Sequence, residues 1–324
     1  MEQIRLSNAA FEGDNNVYLF DGDETVLVDT GDPLAETRER LSGALGRRGF
    51  GLADVDRVLL THWHGDHAGL AGTIQRAGGA TVHVHEADAA LVAGDPEAWA
   101  RLRERHEACF EHWGIPEADR QRLRTVLEDY PDPEDSPDVT PLQDGDEFTL
   151  EGRRVEAVHA PGHAAGLCLY DLGETVLTGD ALLPNYTPNV GGADVRVEEP
   201  LETYLESLRR IGARGYDRAW PGHRNVIDTP TERADEIRHH HRERAWRVLD
   251  ALRRLGPTDV WSVSADLFGS LDGIHILHGP GEVHAHLRHL HDAGSVRREQ
   301  DRYRLADGVA SRLDADGVGE WPLR

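Results

Sequence analysis

Short apolar runs alternate with amphipathic segments along the first two thirds of the chain. Residues 17–20 and 25–28 are strand-like and flank a short Asp/Gly turn, which is a hairpin signal. Apolar spacing typical of a helix covers residues 32–47, and a second helix over 65–77 precedes a strand at 81–84. This alternation predicts an α/β fold built in layers.

A charged, helical pattern interrupts that alternation. Residues 86–128 carry large apolar side chains at three- and four-residue steps, so we predict a helical insertion there. Residues 129–141 contain four prolines and five acidic residues, and we predict a loop. The insertion either covers the mouth of a site or packs on the surface as a helical pair.

The last ninety residues have a different pattern. Helical segments at 232–255, 263–268 and 283–293 are followed by two short strand-like segments, which is the order of a winged helix. We therefore predict a first domain at residues 1–230 and a small winged-helix-like domain at residues 231–324. Histidines 239–241 of this second domain are expected on a helix surface.

Ligand-type side chains follow several of the predicted strands. The segment 62–67, just after the apolar run 58–60, has the pattern HxHxDH. Neutral imidazoles and ionised carboxylates are good zinc ligands at neutral pH. Three further ligand-type residues follow strand-like runs, where a rigid sheet can aim a loop: His163, Asp180 and His223.

The order HxHxDH, PGH, GD, PGH resembles the metallo-β-lactamase fold superfamily over about residues 4–228. Asp29-Thr30-Gly31 resembles its first motif, so Asp29 is expected to support a ligand. The resemblance implies a four-layer αββα sandwich with two zinc ions per chain at one edge. It assigns one zinc to His62, His64 and His163, the second to Asp66, His67 and His223, and the bridge to Asp180. His64 stands where diiron flavoproteins of the superfamily carry Glu, which favours zinc while leaving iron or manganese open.

A finer resemblance points to the β-lactamase-like protein 2 subfamily, whose members have a C-terminal winged helix. It rests on segments 183–191, 204–208 and 240–244. Where the subfamily has the motif PGHG, this chain has Pro221-Gly222-His223-Arg224, with an arginine in place of the last glycine. The substrate of the subfamily is therefore not assumed for this chain.

The motifs predict a metal-dependent hydrolase in which a hydroxide shared by two zinc ions attacks a small ester, thioester or lactone. Asp66 or Asp180 is expected to help move the proton. We expect Tyr186, Asn189 and Arg224 to bind the substrate. The positive charge of Arg224 predicts that the substrate is anionic. One alternative is an endoribonuclease acting on single-stranded RNA, because the subfamily includes one. Another is a DNA-binding regulator that uses the arginines of the winged helix.

The charge balance argues against nucleic acids as partners. The chain has 59 acidic and 35 basic residues, a formal net charge of -24, and no lysine. This composition resembles that of salt-in halophiles and predicts a haloarchaeal origin, with a high-GC genome as the alternative. Two cysteines predict no disulfide framework. Without an apolar leader or an 18-residue apolar stretch, the expected location is the cytoplasm, with no membrane partner.

Overall fold

The structure is a computed structural model that describes residues 1–7, 13–129 and 135–316. The chain divides into two compact units. The first comprises Met1–Ala100, Pro131–Pro188 and Ser207–Ala234, and the second comprises Arg101–Tyr130, Asn189–Glu206 and Asp235–Arg324. The helical segment predicted over 86–128 thus contributes residues to both units.

A six-stranded mixed sheet forms one half of the first unit. Its strands lie in chain order: β1 (Glu2–Leu6), β2 (Asn15–Asp21), β3 (Thr25–Val28), β4 (Arg57–Leu59), β5 (Thr81–His85) and β6 (Val139–Leu142). The first three are antiparallel, and β3 through β6 are parallel. The predicted hairpin and the strand at 81–84 are present.

A five-stranded sheet forms the other half of this unit. Its order is β11 (Arg218–Pro221), β10 (Thr175–Gly179), β9 (Cys168–Asp171), β8 (Arg153–His159) and β7 (Glu147–Leu150). Only β10 and β11 are parallel. Tyr18 and Phe20 of the first sheet share a buried cluster with Tyr170 and Leu177 of the second, so the two sheets pack face to face.

Helices cover the outer faces of these sheets. Buried side chains of α1 (Ala35–Gly46) and α3 (Ala71–Gly78) pack against β1–β5. Ser207 and Arg210 of α7 (Pro200–Arg214) donate hydrogen bonds to the carbonyls of Pro161 and His159 beside the second sheet. The helices α2 (Gly65–Ala68) and α4 (Glu86–Val92) connect strands of the first sheet.

Two sequence expectations need correction. The helix predicted over 65–77 is divided between α2 and α3, because the backbone N–H groups of Gly69 and Leu70 bond to the Gly31 carbonyl and the Thr30 hydroxyl instead. The loop predicted over 129–141 ends in strand β6; residues 130–134 lie outside the described residues. Because β6 is an edge strand, it can accommodate Pro141, which lacks a backbone donor.

The second unit is mainly helical. It contains most of α5 (Pro96–His112) and α8 (Pro230–Leu255), together with α6 (Glu117–Asp129), α9 (Val260–Phe268), α10 (His275–Asp292) and α11 (Val309–Asp316). A two-stranded antiparallel hairpin, β12 (Val296–Glu299) and β13 (Arg302–Leu305), follows α10. The buried core of the second unit includes Trp113, Leu249 and Val283. Among the described helices, none is both long enough and apolar enough to span a bilayer.

Candidate metal centre

The seven predicted ligands follow strand ends of the first unit or lie at the start of a short helix. His62 comes shortly after β4, and His163 comes four residues after β8. Asp180 directly follows β10, and His223 lies two residues beyond β11. The remaining ligands are at the start of α2: His64, Asp66 and His67. Rigid strands therefore fix the loops that carry most of the cluster.

Three imidazoles converge in what we call the first ligand set: His62, His64 and His163. The Nδ1 atom of His64 lies 2.9 Å from Nε2 of His62 and 3.2 Å from Nε2 of His163. Nitrogens bound tetrahedrally to one zinc at about 2.0–2.1 Å would be about 3.3 Å apart, so the spacing suits a shared cation.

A carboxylate and two imidazoles form the second ligand set: Asp66, His67 and His223. The Oδ2 atom of Asp66 is 3.8 Å from Nε2 of His67 and 3.4 Å from Nε2 of His223. All three residues are buried. A carboxylate with two imidazoles is a donor set that suits zinc and other divalent transition metals.

Asp180 lies between the two sets. Its Oδ1 is 3.5 Å from Nε2 of His67, whereas its Oδ2 is 3.4 Å from Nε2 of His223 and 3.7 Å from Nε2 of His163. One carboxylate therefore reaches ligands of both sets. This is the arrangement that a bridging ligand requires.

Unsatisfied polar atoms support the fit of cations to this cluster. Nε2 of His67, Nε2 of His223 and Oδ1 of Asp180 are buried and have no hydrogen-bond partner among the described residues. Leaving buried polar atoms unpaired costs about 1–3 kcal/mol each, and more for charged groups. Because all three atoms point into the cluster, metal ligation accounts for their arrangement.

The outer nitrogens of the imidazoles are held by oxygen atoms. His67 donates Nδ1–H to Oδ2 of Asp29 at 2.9 Å, and His223 donates Nδ1–H to the Gly13 carbonyl at 3.1 Å. Asp29 also accepts the backbone N–H of Thr61 at 2.8 Å. These bonds fix the tautomers that leave Nε2 free to ligate, a support typical of metal sites. The structure thus places Asp29 behind His67.

The electrostatics reflect a dense group of opposite charges. Burial alone would lower the pKa of His223, but the Asp180 and Asp66 carboxylates outweigh it and raise the pKa to about 10. Burial would raise the pKa of Asp180, but His223 and His67 hold it well below its usual range. Burial, reinforced by neighbouring imidazoles, lowers the pKa of His62. Protons on imidazoles balance the carboxylates, and metal ions would take their place.

Close packing explains one glycine of the PGH motif. A Cβ on Gly222 would lie 2.5 Å from Oδ1 of Asp180 and 2.6 Å from Cε1 of His67. Any side chain there would displace two of the predicted ligands. The glycine therefore lets the backbone just after β11 lie next to the cluster.

Sequence reasoning missed the residues of β2 that hold the last ligand loop. Tyr18 donates its hydroxyl to the Pro221 carbonyl at 2.6 Å, and Asn16 donates its side-chain amide to the same oxygen at 2.9 Å. Asn15 donates to Oδ2 of Asp66 at 3.3 Å. No local pattern signals these residues, because their partners are distant in sequence.

Two of the three predicted substrate-binding residues contact each other. Arg224 stacks its guanidinium 4.5 Å from the ring centre of Tyr186 and donates to the Tyr186 hydroxyl at 3.2 Å. Tyr186 is 47% exposed. Arg224 also lines an open cavity of about 320 Å³ with Arg5, Asp14, Asn185 and Asn225. Because Arg224 directly follows His223, this cavity lies beside the second ligand set.

Asn189 has a different environment in the second unit. Its amide donates to the His278 carbonyl at 3.0 Å and accepts the N–H groups of Gly192 and Ala193. Substrate binding by Asn189 would require these hydrogen bonds to be exchanged. The side chain therefore has a structural role in the loop that precedes α7.

A second histidine cluster corrects the expectation for His241, whereas His239 is exposed as expected. His241 is fully buried, not on a helix surface, and lies with Glu282 and His286 in the second unit. His286 donates Nδ1–H to the Glu282 carbonyl at 2.7 Å, so its Nε2 can accept from Nδ1 of His241 at 3.3 Å. Arg244 pairs with the Glu282 carboxylate. A divalent ion here would leave two uncompensated positive charges buried, so we assign no metal.

The chain is similar in sequence to several known proteins. The chain is 29% identical over 249 residues to the beta-lactamase-like protein 2 homolog of Drosophila melanogaster, covering 75% of this chain and 69% of that one. It is 28% identical over 243 residues to the lactamase-like protein vrtG of Penicillium aethiopicum. It is 27% identical over 246 residues to an atrochrysone carboxyl ACP thioesterase of Aspergillus fumigatus. Coverage is 74% and 75% of this chain, respectively, and 61% of each fungal protein.

Solved structures share the fold over almost the whole chain. A metallo-beta-lactamase family protein from Thermus thermophilus superposes with a TM-score of 0.80 at 31% identity, covering 94% of this chain and 98% of that one. A beta-lactamase domain protein from Burkholderia ambifaria gives 0.77 at 25% identity, covering 94% and 91%. The family model of the metallo-beta-lactamase superfamily matches residues 10–223, which include every residue of both ligand sets and Asp180. The chain therefore belongs to the metallo-beta-lactamase superfamily.

Proposed function

We propose that the chain is a dinuclear zinc hydrolase that cleaves a small anionic ester, thioester or lactone. The observation that carries the dinuclear assignment is the position of Asp180, whose two oxygens face ligands of both sets. When bound, paired divalent ions supply an activated water and polarise the attacked carbonyl group. The donor set of nitrogen and carboxylate oxygen atoms suits zinc.

Among the substrates considered, the thioester has additional support. One fungal relative is named a thioesterase, although this chain spans about six tenths of its length. An anionic group is favoured by Arg5 and Arg224, which line the cavity beside His223 together with one carboxylate, Asp14. Two arginines against one aspartate leave this cavity with a local excess of positive charge, although the whole chain has a net charge of -24. Guanidinium groups bind carboxylates and phosphates through paired hydrogen bonds.

The chain's own residues have distinct roles in this proposal. Arg224 binds the anionic group. Tyr186 accepts a hydrogen bond from Arg224 and can still donate its own O–H to the oxygen that becomes negative during attack. Asp66 and Asp180 are the carboxylates placed to accept the proton released from water.

Replacing Arg224 with alanine should raise KM for an anionic ester or thioester about 10-fold or more, because a hydrogen bond to a charged group contributes about 1.5–3 kcal/mol. KM for a neutral analogue should change much less. Steady-state kinetics on the matched substrate pair measure both values. Arg218→Ala is the control, since Arg218 lies on β11 but pairs with Asp228. Equal effects on both substrates would refute an anion-binding role.

Single-stranded RNA is the alternative substrate. Its support is the resemblance to the β-lactamase-like protein 2 subfamily, whereas the net charge opposes binding of a polyanion. A purified sample should be assayed against esters, thioesters, lactones and RNA in parallel. Efficient RNA cleavage without esterase or thioesterase activity would overturn the small-molecule assignment.

DNA binding by the second unit is disfavoured by charge pairing. Arg297 pairs with Asp307, Arg298 with Asp301, and Arg304 with Glu299. Such exposed pairs add little stability, but they cancel the positive potential that a phosphate backbone requires. We therefore infer that this winged-helix-like region is not a regulator that binds DNA.

We also infer that the protein works at high salt. Every basic side chain other than histidine is arginine, and acidic residues exceed basic ones by 24. At molar salt the Debye length falls to about 3 Å, so repulsion among surface carboxylates is largely screened. A halophilic source, such as a haloarchaeon, is consistent with this composition.

A further inference from the structure

Asp88 lies between the two loops that carry the first ligand set. It belongs to the first turn of α4, directly after β5, and it is 0% exposed. Its Oδ2 accepts the backbone N–H of Trp63 at 3.1 Å, and its Oδ1 accepts the backbone N–H of Gly166 at 3.0 Å. Trp63 separates two of the ligands, and Gly166 is three residues beyond the third. One carboxylate therefore connects both loops.

We infer that Asp88 is a positioning residue that sets the spacing of the first ligand set and so its metal affinity. The inference rests on the proposed dinuclear site. Each hydrogen bond has an ionised acceptor, which makes it stronger and shorter than a neutral one. Because the two bonds go to different loops, losing either one removes the link that the carboxylate makes between them, while the nearby bond from the Cys168 N–H to the Thr61 carbonyl remains. The Nε2 atom of His163 then loses its fixed distance from Nδ1 of His64.

Local packing shows how closely the carboxylate approaches the loop. A Cβ on Gly166 would lie only 2.5 Å from Cγ of Asp88. Alanine at this position would push the carboxylate away without changing its charge. Gly166→Ala therefore tests the same contact from the opposite side.

The second ligand set has other supports. Asp29 holds His67, the Gly13 carbonyl holds His223, and Asn15 contacts Asp66. None of these three contacts involves Asp88. Loss of Asp88 should therefore act on one metal position and not on both.

The test is an equilibrium titration of zinc into metal-free protein, with a competing chelator as indicator. Asp88→Asn keeps the side-chain shape but turns an amide group toward a backbone donor. We expect one of two zinc ions to bind about 10–100-fold more weakly, the usual effect of losing a support behind metal ligands. Gly166→Ala should behave similarly. Circular dichroism and melting of the metal-free variants show whether they are folded.

A matched control is Asp194→Asn. Asp194 is as buried as Asp88 and accepts the backbone N–H of Arg196 in the second unit. This variant should retain both zinc ions at wild-type affinity even if it melts at a lower temperature. A general effect of removing a buried carboxylate is thereby separated from positioning of ligands.

Double variants identify the affected position. In the His163→Ala background, Asp88→Asn should cause no further loss of zinc affinity. In the His223→Ala background, it should weaken binding of the zinc ion that remains. Equal weakening of both ions, an unchanged titration, or a further loss in the His163→Ala background would overturn the inference. A wild-type protein that binds only one ion would refute the dinuclear proposal. Whether Asp88→Asn weakens that ion would still decide the role of Asp88.

Discussion

Replacing Asp180 with alanine should lower kcat/KM by at least about 10³-fold, equivalent to about 4 kcal/mol of transition-state stabilisation. The reason is that Asp180 faces both His67 and His163, so its loss removes the carboxylate that the two proposed metal positions share. The fold should survive, because the strand β10 ends before this residue. Kinetics together with far-ultraviolet circular dichroism measure both effects.

The control for this variant is Asp171→Asn. Asp171 is another largely buried carboxylate of the second sheet, but it pairs with Arg214 and Tyr216. Its replacement should affect stability more than turnover. If Asp180→Ala retained activity close to wild type, the role of the carboxylate as a shared ligand would be wrong.

Lowering the salt from about 2 M to about 20 mM KCl should destabilise the protein strongly, because the Debye length then grows from a few Å to more than about 20 Å. Unscreened carboxylates repel one another throughout a chain with a net charge of -24. A loss of about 5 kcal/mol would lower Tm by roughly 10 °C or more. Differential scanning calorimetry across the salt series measures this.

A charge-reduced variant separates screening from the general effect of salt on apolar burial. Changing the exposed carboxylates Glu39, Glu104 and Glu174 to glutamine removes three negative charges. Its Tm should depend less steeply on salt than that of the wild type. A wild-type Tm that stays flat over the whole range would contradict the halophilic proposal.

The candidate ligands could be predicted from sequence because they lie in short motifs with fixed order, and the structure brings them together in one cluster. Their supports could not be predicted in the same way. Asp88 comes 25 residues after Trp63 and 78 residues before Gly166, and only the fold brings these three together. Asp29 was expected to support a ligand, but its partner His67 followed only from the three-dimensional structure.

Elements with a clear period were predicted well, and those shaped by packing were not. Residues 25–28 were predicted as a strand and form β3 with the same bounds. The helix predicted over 283–293 begins earlier, at His275. The prediction missed its first half because that half contains Gly279, Pro280 and Gly281, which are poor helix formers. At Gly281 the backbone of Gly192 approaches so closely that a Cβ would lie 2.3 Å away. Such packing overrides intrinsic helix propensity.

Buried polar residues were the hardest to predict. His241 was expected on a helix surface because it stands in a run of three histidines, yet it is enclosed with His286. Sequence alone does not distinguish a packed imidazole pair from exposed histidines. In contrast, the order of the predicted ligands along the chain set the candidate metal cluster apart from other histidine-rich segments.

The central claim is that two divalent ions bind next to each other with Asp180 between them. The most direct measurement is elemental analysis of the purified protein, before and after chelation and reloading with zinc. The account predicts about two zinc ions per chain in the reloaded protein, as expected for a two-metal site. A protein that contains no metal and takes up none when zinc is added would contradict the account.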